Sequence, residues 1–100
     1  MRTLSDLQKK IIDIDTEILS IGNAEQSATL ARRMFILIGE KCSVLRHFDK
    51  LDMGSMEPIL AEFMEHVLSH NLMNGEECAA AMNDGEESGH RWYTMNPELN

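Results

Sequence analysis

Three side chains in the segment "EFMEHVLSHNLMNGEEC" have the types and the spacing of metal ligands. Glu62, His66 and His70 lie along one side of a helix, because each step of four residues turns the direction by only about 40°. Two neutral imidazoles at this spacing can bind zinc or nickel, and Cys78 or Glu65 would have to complete a site with four ligands. The spacing therefore suggests a metal site at the end of this helix.

The same residues are also typical of an ordinary helix end. A histidine near the carboxyl terminus of a helix interacts favourably with the helix dipole, by about 0.3 to 1 kcal/mol. Val67 stands where the metalloprotease motif requires a glutamate after the first histidine. We therefore predict no metal and no cofactor, and we keep a metal-binding sensor that uses Glu62, His66 and His70 as an alternative function.

Patterns for nucleophilic catalysis are weak. Cys42 and His47 are five residues apart, which turns the two side chains about 140° from each other on one helix, so they cannot act as a thiol and its base. The glycine segments "NGEE" and "DGEE" place carboxylates where a phosphate loop would bind an anion. Cys42 and Cys78 do not form the dense cysteine framework of small secreted domains, so we expect free, buried thiols. We predict that the protein is not an enzyme.

The charge of the chain is concentrated in its second half. Residues 1–50 carry eight Lys or Arg and seven Asp or Glu, whereas residues 51–100 carry one and ten, a net charge of −9. This acidic half favours basic protein surfaces as partners and disfavours nucleic acid. The basic side chains of the second predicted helix scatter around its circumference, so they form no nucleic-acid-binding patch; they are Arg32, Arg33, Lys41 and Arg46.

Apolar periodicity predicts an all-α fold. A first helix runs from Thr3 to Gly22-Asn23, with apolar residues at alternating spacings of three and four. A second helix over residues 24–50 starts at an Asn23/Gln26 capping pattern and is apolar over a wide arc, which places it at the centre of the core. This helix would be about 40 Å long, so we expect a kink at Gly39 or an overhang that packs on another subunit.

The second half of the chain predicts shorter elements. A third helix begins with Ser55 as its cap and ends at Asn74-Gly75, and residues 76–82 form a short fourth helix. We assign residues 1–83 to a single helical domain, and residues 84–100 to an acidic, glycine-containing loop with an aromatic carboxyl-terminal tail. The expected architecture is a small helical bundle or helical hairpin of three main helices plus a short fourth, completed by dimerisation.

These observations favour a small acidic protein that acts by protein–protein interaction, as an adaptor, regulator, inhibitor or chaperone. Its partner would present a basic or apolar groove, and the alternative is an acidic mimic of nucleic acid that blocks a DNA- or RNA-handling protein. No run of apolar residues is long enough to span a membrane and no secretory signal is evident, so we expect a cytoplasmic location. The predicted partner-binding residues are Glu62, Glu65, Glu76, Glu77, Trp92 and Tyr93. Trp92 has a second interpretation, in which its ring folds back over the bundle.

Overall fold

The computed structural model describes residues 2–95, which form four α-helices and no strand. The helices are α1 (Leu4–Gly22), α2 (Ala28–His47), α3 (Met53–Ser69) and α4 (Gly75–Thr94). The predicted all-α fold is therefore confirmed. Within the described residues, none of these helices has the length and apolar character that a membrane span requires.

Helix α1 follows its sequence pattern closely. Thr3 is the amino-terminal cap, and its side chain and that of Asp6 form a reciprocal capping box. The inward stripe repeats every seven residues and buries Leu7, Ile14 and Ile21. The predicted start and end of this helix are both confirmed.

Helix α2 is shorter than predicted. Ser27, not Asn23, caps its amino terminus by accepting a hydrogen bond from the backbone of Leu30. The helix ends at His47, after which Asp49 adopts a positive φ of 54° and closes the end as glycine commonly does. Twenty residues span about 30 Å, the size of a small domain, so the length argument for a kink or a second subunit no longer applies.

The boundaries of α3 also differ from the prediction. Asp52, not Ser55, is its cap, because the carboxylate of Asp52 accepts the hydrogen bond from the backbone of Ser55. The helix ends at Ser69, and Asn71 supplies the positive φ of 55° that closes it. Asn74 was predicted to end α3, but it begins α4 through a capping box with Glu77.

The prediction of a loop after residue 83 was wrong. Residues 83–94 continue α4, which is 20 residues long, and only residues 96–100 of the predicted tail lie outside the described part of the chain. The asparagine, aspartate, serine and glycine residues of "NDGEESGH" have poor helix propensity. Packing against α2 overrides this propensity.

Small residues allow this packing. One side of α4 buries Cys78, Ala81, Gly85 and Gly89 against α2. A Cβ atom added to Gly85 would overlap the backbone carbonyl of Ile36, and one added to Gly39 of α2 would overlap the carbonyl of Met82. The two backbones are therefore in direct contact. The absence of a side chain at Gly39 allows the two helices to approach each other this closely.

Helix α2 is the centre of the core, as its wide apolar arc predicts. One cluster joins α1 to α2 and includes Ile14, Ile21, Leu37 and Ile38. A second cluster joins α2 to α3 and α4 and consists of Ala31, Phe35, Val67, Met73, Cys78 and Ala81. Val67 is the only fully buried residue that α3 contributes, so α3 is the most peripheral of the four helices.

Candidate functional site

The histidines at the end of α3 lie together, but the remaining ligands do not join them. The rings of His66 and His70 are 4.2 Å apart between centroids, and Nδ1 of His70 lies 2.9 Å from the carbonyl oxygen of His66. His70 is thus the carboxyl-terminal cap of α3. Cys78 is fully buried in the second core cluster and cannot reach the two histidines. Across residues 2–95, no three His, Cys, Asp or Glu side chains are placed to hold a metal ion.

Both cysteines are free and buried, as the sequence predicts. Burial raises the pKa of the Cys42 thiol, and burial together with the nearby Glu77 raises the pKa of Cys78. The thiolate is the reactive form of cysteine, so both groups are protonated and poorly nucleophilic at neutral pH.

Three of the four basic side chains on α2 form ion pairs. Arg33 binds Glu17 of α1 through two hydrogen bonds, and Lys41 lies 2.7 Å from Asp15 of the same helix. Arg32 pairs with Asp84 of α4 at 3.1 Å. The carboxylates that these three cations contact lie on α1 and α4, and none lies on α3.

The carboxylates of α3 are consequently left without cations. Glu57, Glu62 and Glu65 are exposed, and none of them takes part in an ion pair within residues 2–95. The pKa of Asp52 is lowered by hydrogen bonds from Ser55, which is the effect of a helix cap. Glu62 and Glu65 lie within about 60° of each other around the helix, whereas Glu57 lies about 140° from Glu62. The helix thus presents two neighbouring carboxylates without a cation on one side.

Apolar side chains accompany this charge. Ile59 is 61% exposed, and with Glu62, Phe63 and His66 it lines a shallow groove of about 320 Å³. We call Ile59, Glu62, Phe63, Glu65 and His66 the α3 surface. Ile59 and Phe63 also line a neighbouring apolar groove of about 280 Å³ that is bordered by α1, α2 and α3. The α3 surface therefore combines negative charge with an apolar recess.

The other two predicted acidic residues lie at the start of α4. Glu76 and Glu77 occupy its first turn, where negative charge is favoured by the helix dipole. The side chain of Glu77 accepts a hydrogen bond from the backbone of Asn74, so part of its function is to cap the helix. Glu76 is exposed and has no such contact in the described residues.

The aromatic pair packs against the bundle instead of extending from it. The guanidinium carbon of Arg2 lies 4.5 Å from the centre of the Trp92 ring, and Nε of Arg2 donates a hydrogen bond to the Trp92 carbonyl. Tyr93 stacks on His47 with ring centroids 4.2 Å apart, and its ring meets that of Phe48 edge to face. Both aromatic residues are half-buried, which is the second interpretation that the sequence left open.

A buried ion pair that the sequence did not predict lies beneath Trp92. Nζ of Lys10 lies 2.6 Å from Oε1 of Glu40, whose side chain is only 7% exposed. The same ammonium group lies 5.8 Å from the centre of the Trp92 ring. This cluster links α1, α2 and α4. The available signal was a charged residue, Glu40, within the apolar arc of α2.

A second histidine pair was also not predicted. His47 of α2 and His90 of α4 face each other at a distance of 3.1 Å between ring nitrogens. They border an open groove of about 640 Å³, which is lined by Ser43, Arg46, His47, Asn83, Glu86, Glu87, His90 and Arg91. This pair could not be predicted from the sequence, because the region of His90, which lies in α4, was predicted to be a loop.

Comparison of the chain with protein-family models, with curated proteins and with solved structures found no match.

Proposed function

We propose that the protein acts without catalysis, by binding a basic protein partner at the α3 surface. The observation that carries this proposal is the pair of exposed carboxylates on the α3 surface, Glu62 and Glu65, neither of which forms an ion pair in residues 2–95. The four basic side chains that form ion pairs in the described residues do so with carboxylates of α1, α2 and α4; they are Lys10, Arg32, Arg33 and Lys41. A partner that supplies lysine or arginine would neutralise Glu62 and Glu65 and associate faster through long-range attraction.

The apolar part of the α3 surface supports a protein partner. An exposed isoleucine beside a recess formed by Phe63 is the arrangement that accepts an apolar side chain from an amphipathic helix. Contacts of this kind persist in salt, whereas contacts between exposed charges are screened. We therefore propose a partner helix with an apolar stripe and basic flanks, and an adaptor, regulator, inhibitor or chaperone function for this chain.

The proposed location is the cytoplasm. Two cysteines that are both buried and unbridged fit a reducing compartment.

The test compares capture of proteins from the source cells by three tagged forms of the chain. The α3 variant Glu62→Lys/Glu65→Lys should lose a basic protein that the wild type retains. The control variant Glu86→Lys/Glu87→Lys makes the same change in charge on α4 and should retain it. If both variants lose the protein equally, the α3 surface is not its binding site and net charge alone explains the capture.

The salt dependence of binding and competition by nucleic acid then distinguish a protein that binds a partner helix from one that mimics nucleic acid. Binding that persists at moderate salt and weakens in Ile59→Glu supports the apolar recess. Binding that disappears at moderate salt, and that double-stranded DNA or RNA displaces, supports the alternative of a nucleic-acid mimic.

A further inference from the structure

Two apolar grooves lie side by side along α3. The first, which we call the inner groove, is the recess of about 280 Å³ bordered by α1, α2 and α3, and its α3 residues are Met56, Ile59 and Phe63. The second, which we call the outer groove, is the recess of about 320 Å³ lined by Ile59, Glu62, Phe63 and His66. The two grooves share Ile59 and Phe63, so one molecule that binds across these two residues can occupy both.

The inner groove has a buried apolar base. Met34 and Ile38 of α2 line it, are 8% and 6% exposed, and belong to the core cluster that joins α1 to α2. Ile59, which is exposed, stands at the rim. Methionine side chains are flexible and polarisable, so Met34 and Met56 can adjust to apolar groups of different shape. The inner groove is therefore suited to an apolar anchor from a partner.

The charges at the rims of the two grooves differ. Asp15 of α1 and Lys41 of α2 line the inner groove and bind each other at 2.7 Å. Glu62 of α3 lines the outer groove, and neither it nor Glu65 forms an ion pair in the described residues 2–95. The unpaired charge is thus negative and lies on the α3 side only. A partner that covers both grooves gains most from a basic residue on that side.

The spacing of the grooves matches the spacing of side chains on a helix. The α3 residues of the outer groove lie on average about three positions beyond those of the inner groove, which is about 5 Å along the helix. Residues three or four positions apart on a helix are neighbours at about 5 to 6 Å. A partner helix that lies alongside α3 can therefore place one apolar side chain in each groove.

We propose that the partner of the α3 surface is an amphipathic helix with two apolar anchors, three or four residues apart, one in each groove, and with a lysine or arginine that contacts Glu62. This inference rests on the proposed function, because it uses the same surface, and it adds the inner groove as a second binding site. It gives the partner a sequence pattern of two large apolar residues with basic residues along one adjacent side. A second copy of the chain does not fit through its own α3, because Glu62 and Glu65 would face like charges.

The first test titrates labelled protein with a synthetic helical peptide and follows side-chain methyl and backbone resonances by NMR. The probe is an alanine-rich helix that carries two leucines four residues apart and two lysines on the adjacent side. Resonances of Met34, Ile38 and Ile59 should shift, whereas those of Leu4, about 16 Å along α1 from Asp15, should not. A control peptide of the same composition with its leucines two residues apart should bind about tenfold more weakly or less, because those leucines lie on opposite sides of the helix.

The pattern of shifts separates this inference from the proposed function. Shifts at Ile59 and His66 without shifts at Met34 and Ile38 would keep the α3 surface and overturn the inner groove as a binding site. The absence of any shift at millimolar peptide would overturn both. A peptide with glutamates in place of the lysines that binds equally well would contradict the contact with Glu62. Shifts that appear on raising the protein concentration alone would assign the grooves to a second copy of the chain.

The second test places a charge in the inner groove. Met56→Glu should weaken binding of the probe about tenfold or more, because an apolar anchor would then bury a carboxylate. Met53→Glu is the matched control, since Met53 is an exposed methionine of the same helix that lines neither groove, and it should bind the probe like the wild type. Circular dichroism checks that both variants keep their helix content. Equal binding by Met56→Glu and the wild type would exclude the inner groove, and if Met56→Glu does not fold, the shifts of the wild type decide.

Discussion

Nε2 of His47 and Nδ1 of His90 lie 3.1 Å apart, across the carboxyl-terminal halves of α2 and α4. One of two facing imidazole nitrogens must donate and the other must accept, so the contact requires at least one neutral ring. Burial, then the charge of His90 and of Arg46, lowers the pKa of His47 below its ordinary value of 6.5. Arg91 adds positive charge to the same groove, and Glu86 and Glu87 add negative charge.

We predict that acid destabilises the protein through His47. The unfolded chain binds a proton at His47 near pH 6.5, whereas the folded chain does so only at lower pH, so the free energy of unfolding falls as pH decreases through this window. Urea unfolding at about pH 7.5 and pH 5.5, on either side of that ordinary pKa, measures the loss. His47→Gln should reduce this loss, whereas His66→Gln, in the other pair, should retain it. An equal loss in His47→Gln would assign the pH dependence to other groups.

A second prediction concerns the contact between α2 and α4. Gly85→Ala should destabilise the fold by about 2 kcal/mol or more, because its methyl group would overlap the carbonyl of Ile36 and separate two packed backbones. Gly75→Ala is the matched control, since nothing lies within 4 Å of an added Cβ at the start of α4. It should change stability by no more than about 1 kcal/mol, in the stabilising direction. Thermal unfolding followed by circular dichroism measures both, and equal effects would contradict the close packing.

The buried ion pair gives a third prediction. Lys10→Met leaves the Glu40 carboxylate without its cation and should cost about 1 to 3 kcal/mol, less than for a fully buried pair because Lys10 is 25% exposed. The double variant Lys10→Met/Glu40→Leu removes both charges and should recover most of that loss. Urea unfolding of the two single variants and the double variant gives the coupling energy. Additive effects would show that the two groups do not interact.

The only tryptophan gives a fourth prediction. Because Trp92 lies between Arg2 and Lys10 on the folded bundle, its emission should shift to longer wavelength on unfolding, at the same urea concentration at which helix content is lost. Arg2→Ala should red-shift the emission of the folded protein by exposing the ring. A tryptophan in a loose tail would already emit at long wavelength and would not respond to either change.

The sequence predicted the elements whose local signals and packing agree. Thr3, Asp6 and the inward stripe of α1 all indicate the same helix, and the structure has it. The wide apolar arc of α2 likewise predicted its central place, although Ser27 and not Asn23 begins it. In these helices the residues that pack are also good helix formers or caps.

The second half of α4 could not be predicted in this way, because local propensity and tertiary packing conflict there. Gly85 and Gly89 are poor helix formers, and only the presence of α2 makes their lack of a side chain favourable. The spacing of Cys78, Ala81, Gly85 and Gly89 was a usable signal, since it places small residues on one side of a helix. The contacts of Trp92 and His90 depend on that helix, so they could not be predicted without it.

The close contact between α2 and α4 also determines how this protein can vary between species. The exposed carboxylates of α3 form no ion pair in residues 2–95, so they can be exchanged without moving a backbone and at little cost in stability. Gly39 and Gly85 have no such freedom, because any larger residue would push against a main-chain carbonyl of the other helix. Distant relatives should therefore retain these two glycines after most of the surface has diverged, and shared ancestry is best sought at those positions.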